Sequence, residues 1–228
     1  ALADTNGKNK VAYYLDMGLG KTFVGAEKAV QLGNLVLCVC QKSKVDDWVK
    51  HFAMNYQSIV FNLTDKKEYL DFILKEPYVP FNPWTSVIAV INYDILYRRP
   101  ELKCLHGYTL MLDESSLITN ENAKRSKFIL NKLNPDNIIL LSGTPTNGKY
   151  ELLWSQLHLL GWKISKELYW KQYVDVEYID NGEGFPVKVI KGYKNVERLK
   201  AKMREYGCYF LKTEEVFELP DQVFEPVY

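Results

Sequence analysis

Over roughly the first 160 residues, short and nearly continuous apolar runs alternate with stretches of helical periodicity, and this constrains the fold more than any other feature. Lys10–Leu15, Leu35–Cys40, Ser58–Leu63, Ser86–Ile91, Tyr108–Leu112 and Asn137–Leu141 are rich in Val, Ile, Leu and Tyr and read as strands. Runs without polar alternation belong to strands buried on both faces. Lys21–Leu32, Lys44–Met54, Asp65–Lys75 and Asn120–Lys132 read as the helices between them. Such alternation predicts an α/β fold, a parallel sheet flanked by helices on both faces, joined by right-handed crossovers. Ligands then gather at the C-terminal ends of the strands. After Gly161 the pattern changes. Tyr173–Ile179 and Phe185–Ile190 flank the Gly-rich stretch Asp180 to Gly184 and predict a small β-hairpin insertion near the C-terminus. A helix over Asn195–Tyr206, a strand over Cys208–Lys212 and a proline-punctuated exit over Glu214–Tyr228 complete the expectation of a single domain.

Composition narrows the function classes. Lys plus Arg number 29 against 28 acidic residues, a net charge of +1, which excludes a polybasic tail and an acidic disordered chain. No run of 18 uncharged apolar residues exists, so no membrane partner is expected. Ala1–Lys10 lacks the apolar centre of a secretory signal. The four cysteines, at 38, 40, 104 and 208, form no C-x-x-C pair and point to a reduced, cytoplasmic protein; a bacterial or phage source stays open. His51, His106 and His158 are scattered without zinc-ligand spacing.

Three segments carry chemistry. Asp16-Met17-Gly18-Leu19-Gly20-Lys21-Thr22 follows an apolar run and opens a helical pattern, the setting of a phosphate loop. Glycines let backbone N–H groups turn toward phosphate oxygens, and a helix N-terminus adds partial positive charge. In that reading Gly18, Leu19 and Gly20 cradle ATP, Lys21 reaches its terminal phosphates and the Thr22 hydroxyl holds Mg2+. Leu15 stands where the general pattern has glycine, and a Gly-rich turn capping a helix is the plainer alternative. The apolar run ending at Leu112 leads into Asp113-Glu114. Two carboxylates at a strand tip suit a magnesium nucleotide, Asp113 on the metal and Glu114 on the attacking water. Solvated acids at a strand end are the alternative. The third segment, Ser142-Gly143-Thr144-Pro145, offers two hydroxyls to the γ-phosphate or to the carboxylates, or is an ordinary turn.

In this order, the segments resemble motifs I, II and III of superfamily-two helicases, specifically the Swi/Snf-type DNA translocases. Met17 to Thr22 is similar to that family's phosphate loop. Val39-Cys40-Gln41-Lys42-Ser43, followed by Trp48 and Phe52, resembles motif Ia, and Ile91-Asn92-Tyr93-Asp94 resembles motif Ib. Ser142 to Pro145 with Glu151, Leu152, Trp154 and Leu157 resembles the long motif III. Leu211 to Val216 with Leu219-Pro220 resembles the bridge to a second motor lobe. The resemblance implies a RecA-like P-loop NTPase lobe, ATP and Mg2+ as cofactors, and ATP hydrolysis coupled to movement on double-stranded DNA. It further implies sequence-independent contacts through Lys42, Ser43, Lys44 and Asn92, with Lys124, Arg125 and Lys127 as further candidates or simply a solvated helix face. It implies a second RecA-like lobe as partner, supplying arginine fingers, so that this lobe alone hydrolyses little ATP.

Two departures stand out. Ser115 and Ser116 follow Asp113-Glu114 where the family has Ala-His or Gly-His, and Leu211 stands where it often has arginine. A restriction-type superfamily-two motor and a non-catalytic nucleic-acid scaffold derived from a motor lobe remain alternatives at this stage.

Overall fold

In the computed structural model, residues 1–75, 85–146, 148–180 and 186–216 are described. The strands are β1 (Lys10–Leu15), β2 (Leu35–Cys40), β3 (Ser58–Asn62), β4 (Ser86–Asn92), β5 (Thr109–Asp113), β6 (Asn137–Ser142), β7 (Val174–Ile179), β8 (Val187–Tyr193) and β9 (Cys208–Leu211). The α-helices are α1 (Lys21–Leu32), α2 (Val45–Asn55), α3 (Lys66–Lys75), α4 (Tyr93–Leu96), α5 (Lys124–Lys132), α6 (Trp154–Leu159), α7 (Lys166–Tyr173) and α8 (Val196–Glu205). Seven strands form one sheet in the order β3-β4-β2-β5-β6-β1-β9. Every pairing in it is parallel.

The period-two rule of a strand sorts the core into two layers. Val11, Tyr13 and Leu15 of β1 and Val36, Cys38 and Cys40 of β2 face one side, where Ala26 and Ala29 of α1 and Trp48 and Phe52 of α2 cover them. Ala12, Tyr14, Leu35, Leu37 and Val39 face the other side, packed with Phe72, Ile129, Leu157, Tyr169 and Leu199. Central strands β2 and β4 are buried along their whole length, as their unbroken apolar runs predict. β3 lies at the sheet edge, is only half-buried, and leaves Ile59 exposed. Cys38, Cys40 and Cys208 are buried free thiols, and Cys104 is exposed. Among the described residues no helix is long and apolar enough to cross a membrane.

The antiparallel hairpin β7–β8 stands apart as its own two-stranded sheet. Its expected turn at 181–184 lies outside the described residues, as does the bridge beyond 216. From the hairpin the chain returns through α8 to β9, which pairs beside β1 at the sheet edge. An aromatic cluster closes the space between α7 and α8: Trp162 meets Tyr169 and Tyr173 edge-on and stacks on Tyr206 at 5.7 Å. Trp170 of α7 carries Lys188 over its ring at 4.1 Å.

Candidate functional site

The C-terminal ends of β1, β5 and β6 are adjacent in the sheet, so the three chemistry-bearing segments meet by topology. After Leu15 the chain turns through residues 16–20 and enters α1 at Lys21. Gly18 and Gly20 adopt φ of 81° and 74°, and a Cβ on either would meet no atom within 4 Å. Backbone conformation, not crowding, therefore demands glycine there. The Lys21 ammonium folds back over the loop and donates to the carbonyls of Leu15 at 2.7 Å and Asp16 at 3.0 Å. Burial lowers its pKa below the ordinary lysine value, opposed by the nearby Glu114 and Asp113 carboxylates. β6 closes in from the side, and a Cβ on Gly143 would stand 3.3 Å from the Lys21 Nζ.

Asp113 ends β5. The Trp48 indole N–H donates to its Oδ2 at 2.8 Å, and the Tyr93 hydroxyl donates to its backbone carbonyl at 2.9 Å. Burial pushes the Asp113 carboxyl above the usual carboxylate range, while the Trp48 hydrogen bond works against that rise. Glu114 takes a left-handed conformation, φ 55° and ψ 59°. A non-glycine residue held there costs about 1–3 kcal/mol and persists only where its surroundings enforce it. Here its Oε1 accepts the hydroxyls of Ser142 and Ser116, each at 2.7 Å. Ser142 in turn accepts the Thr144 backbone N–H at 3.2 Å.

Behind the carboxylates lies a buried polar knot. Gln156 of α6, fully buried, accepts at Oε1 from the Tyr14 hydroxyl at 2.9 Å and the Ser115 hydroxyl at 2.7 Å. Its Nε2 donates to the Pro145 carbonyl at 3.1 Å. Both serines that depart from the resemblance thus have partners: Ser116 binds the Glu114 carboxylate, and Ser115 ties β5 to the helix after Ser142–Pro145. On the other side of the loop, the Asp16 carboxylate accepts the Thr213 backbone N–H at 2.9 Å, joining the loop to the chain leaving β9.

The chain is homologous over nearly its whole length to a described domain, since the SNF2-related domain matches residues 14–225. The protein belongs to the SNF2-related family. Among relatives of this SNF2-related chain, the Caenorhabditis elegans homolog of SWI/SNF-related matrix-associated actin-dependent regulator of chromatin subfamily A-like protein 1 is 27% identical over 221 residues. That match covers 93% of this chain and 30% of the relative. The ISWI chromatin-remodeling complex ATPase ISW1 of Saccharomyces cerevisiae is 28% identical over 164 residues, 67% of this chain and 14% of its own length. The chain therefore spans less than a third of either relative. In fold, it matches the Sulfolobus solfataricus SWI2/SNF2 ATPase core, solved in complex with dsDNA, at a TM-score of 0.61 and 21% identity, covering 92% of this chain and 42% of that one. The RecA-like α/β fold of the family is thus the fold of this chain.

An open cleft of about 410 Å3 runs between α1, α2 and the end of β5, and Thr22, Lys44, Trp48, Asp113 and Glu114 line it. Of the residues expected at a nucleic-acid surface, Lys42, Ser43 and Lys44 are exposed on the turn between β2 and α2, where Lys44 pairs with Asp47 at 3.0 Å. Asn92 corrects an expectation. β4 runs one residue further than its apolar pattern, Asn92 pairs in register with Cys40, and it is only 2% exposed. The sequence pattern singles out Trp48 after the Val39–Ser43 segment but not its bond to Asp113, and it carries no signal for Gln156 or Tyr14.

Proposed function

We propose that this SNF2-related chain is the N-terminal ATP-binding lobe of an ATP-dependent translocase on double-stranded DNA. The observation that carries the reading is the convergence of the Lys21 ammonium, the Asp113 and Glu114 carboxylates and the Ser142 hydroxyl at three neighbouring strand ends, beside a loop of two left-handed glycines. The loop's open backbone and the α1 N-terminus suit phosphate oxygens. Lys21, now held by two carbonyls, is placed to exchange them for the terminal phosphates. The fit for Mg2+ rests on the donors: a threonine hydroxyl and a carboxylate on one cleft suit an ion that takes one or two protein oxygens and completes its shell with phosphate and water. Bound there, the ion would supply charge neutralisation at the phosphates, with Thr22 and Asp113 as its protein ligands. Glu114, oriented by Ser142 and Ser116, takes the proton of the attacking water. Thr144 fixes Ser142 through its backbone and couples the hydroxyl to the nucleotide.

In this reading Lys42, Ser43 and Lys44 contact DNA phosphates without regard to base sequence. A second RecA-like lobe supplies the arginine that stabilises charge in the transition state. ATP-binding and turnover separate the roles. Lys21→Ala should lose nucleotide affinity in a fluorescent-ATP titration of this chain. Glu114→Gln should keep that affinity, and in the two-lobed protein it should lose about a hundred- to ten-thousand-fold in DNA-stimulated phosphate release. Equal loss of binding in both variants would overturn the assignment.

A further inference from the structure

Away from the strand ends, a cleft of about 600 Å3 lies where α7 meets the hairpin. Trp170 forms one wall, Lys166, Lys171, Lys188 and Lys194 surround it, and Glu167 is the acid on its rim. Val174 and Val176 of β7 floor it. Lys188 holds its ammonium 4.1 Å from the centre of the Trp170 ring, and Lys166 stands 6.0 Å from the same ring. Lys166 is compensated by Glu121, so among the described lining residues Lys171, Lys188 and Lys194 stand with one carboxylate, Glu167.

The register of the hairpin sharpens this. Tyr178 lies opposite Lys188, and with Val176 they share the cleft-facing side of β7–β8. On the reverse side Glu177 pairs with Lys191 at 2.8 Å. The cleft-facing side of the hairpin therefore presents Lys188 beside Tyr178, and the reverse side presents the Glu177–Lys191 pair with Asp175.

Two ion pairs link the cleft's helix to the elements beside it. The Lys166–Glu121 pair ties α7 to the loop before α5, where Lys124 and Lys127 are exposed. The Arg125 guanidinium of α5 reaches Asp94 of α4 at 3.5 Å, directly after β4.

We propose that the Trp170–Lys188 cleft is a second contact site for the phosphodiester backbone of duplex DNA, extending the footprint of the lobe beyond the turn at Lys42–Lys44. The site rests on the reading of the chain as a DNA motor. Lysines at this spacing neutralise phosphates as point charges, and the aromatic walls give the sugar edges an apolar surface while keeping the ammonium groups raised. Recognition of this kind is independent of sequence.

The test is the salt dependence of binding of a fluorescent duplex to the 1–228 chain, followed by anisotropy. Each phosphate contact contributes about 0.9 to the slope of log affinity against log salt. Lys171→Gln combined with Lys188→Gln and Lys194→Gln should therefore flatten the slope by roughly two to three units. All three lysines are exposed, so the unfolding midpoint should stay at the wild-type value. Lys191→Gln, on the reverse face, should leave the slope unchanged. A wild-type slope in the triple variant, alongside a flattened slope in Lys42→Ala with Lys44→Ala, would overturn the cleft and leave the DNA reading standing. A loss in Lys191→Gln equal to that of the triple variant would also overturn it, as an effect of net charge. No duplex binding by the wild-type chain would remove both.

Discussion

At the strand ends, Ser115, Ser142 and Gln156 are buried and hydrogen-bonded, whereas the β7–β8 hairpin exposes Tyr178, Ile179, Val187 and Val189. Each of those buried polar atoms has a defined partner, from the Ser142–Glu114 bond to the pair of hydroxyls on Gln156. The difference fits the roles proposed above for each region. A carboxylate that must orient water needs its lone pairs fixed in advance, and only buried, fully bonded partners fix them. A surface that meets a long polyanion needs reach and exposed charge. Local backbone strain accordingly sits at Glu114, in the bonded region. Asn195, the other non-glycine residue at positive φ among those described, merely begins the helix after the hairpin.

The comparison breaks most visibly at Gln156. Gln156→Leu keeps the volume but leaves the Tyr14 and Ser115 hydroxyls buried without their acceptor, and should cost about 2–4 kcal/mol in urea unfolding. A loss below about 0.5 kcal/mol would show that the knot is not fixed by Gln156.

The next effect is one of pH. Burial lowers the pKa of His51, and burial with nearby Lys163 lowers that of His158, both from 6.5. The native state then releases protons that the unfolded chain still holds, so stability is complete above 6.5 and is lost as pH falls through the lowered native values. Unfolding midpoints measured downward from neutral pH, with histidine titrations by NMR, should show this loss. Histidines titrating at or above 6.5 in the native protein would reverse its sign. Both residues pack on or beside the sheet core, and none of the described hairpin residues is a histidine.

Smallest of all is the hairpin. Tyr178→Ser, at a position 63% exposed, should shift stability by no more than about 0.5 kcal/mol in the same urea experiment. A larger loss would mean that the hairpin is part of the cooperative core.

Much of this contrast could be read from residue order. β1, β2 and α1 begin and end where their apolar patterns do, because β1 and β2 lie between strand neighbours and α1 buries one face on the sheet, and periodicity reports burial. Residues 16–22 and Asp113-Glu114 stand out in the sequence because the chemistry proposed for them needs fixed residue types at short spacing. Gln156 was not, since a glutamine in an amphipathic helix looks alike whether it faces water or a buried hydroxyl pair. Tyr14 was hidden inside a strand, where its ring satisfies the apolar pattern and its hydroxyl does not show. Asn92 was misplaced because one further residue of β4 turns a surface side chain into an interior one.

The strand order has a consequence for how the protein is made. β1, which leads into the loop of Gly18 and Gly20, precedes both of its sheet neighbours in the chain, yet neither is local: Lys10 pairs with Ile138, and Ala12 with Cys208. The Asp16–Thr213 bond closes a span of 197 residues. Long-range parallel pairing of this kind is slow and leaves strand edges open until it is complete. β1 and the loop after it therefore wait without sheet partners until β6 and β9 have been made, and the earliest cost of any delay falls on β1, as an unpaired edge available to other chains.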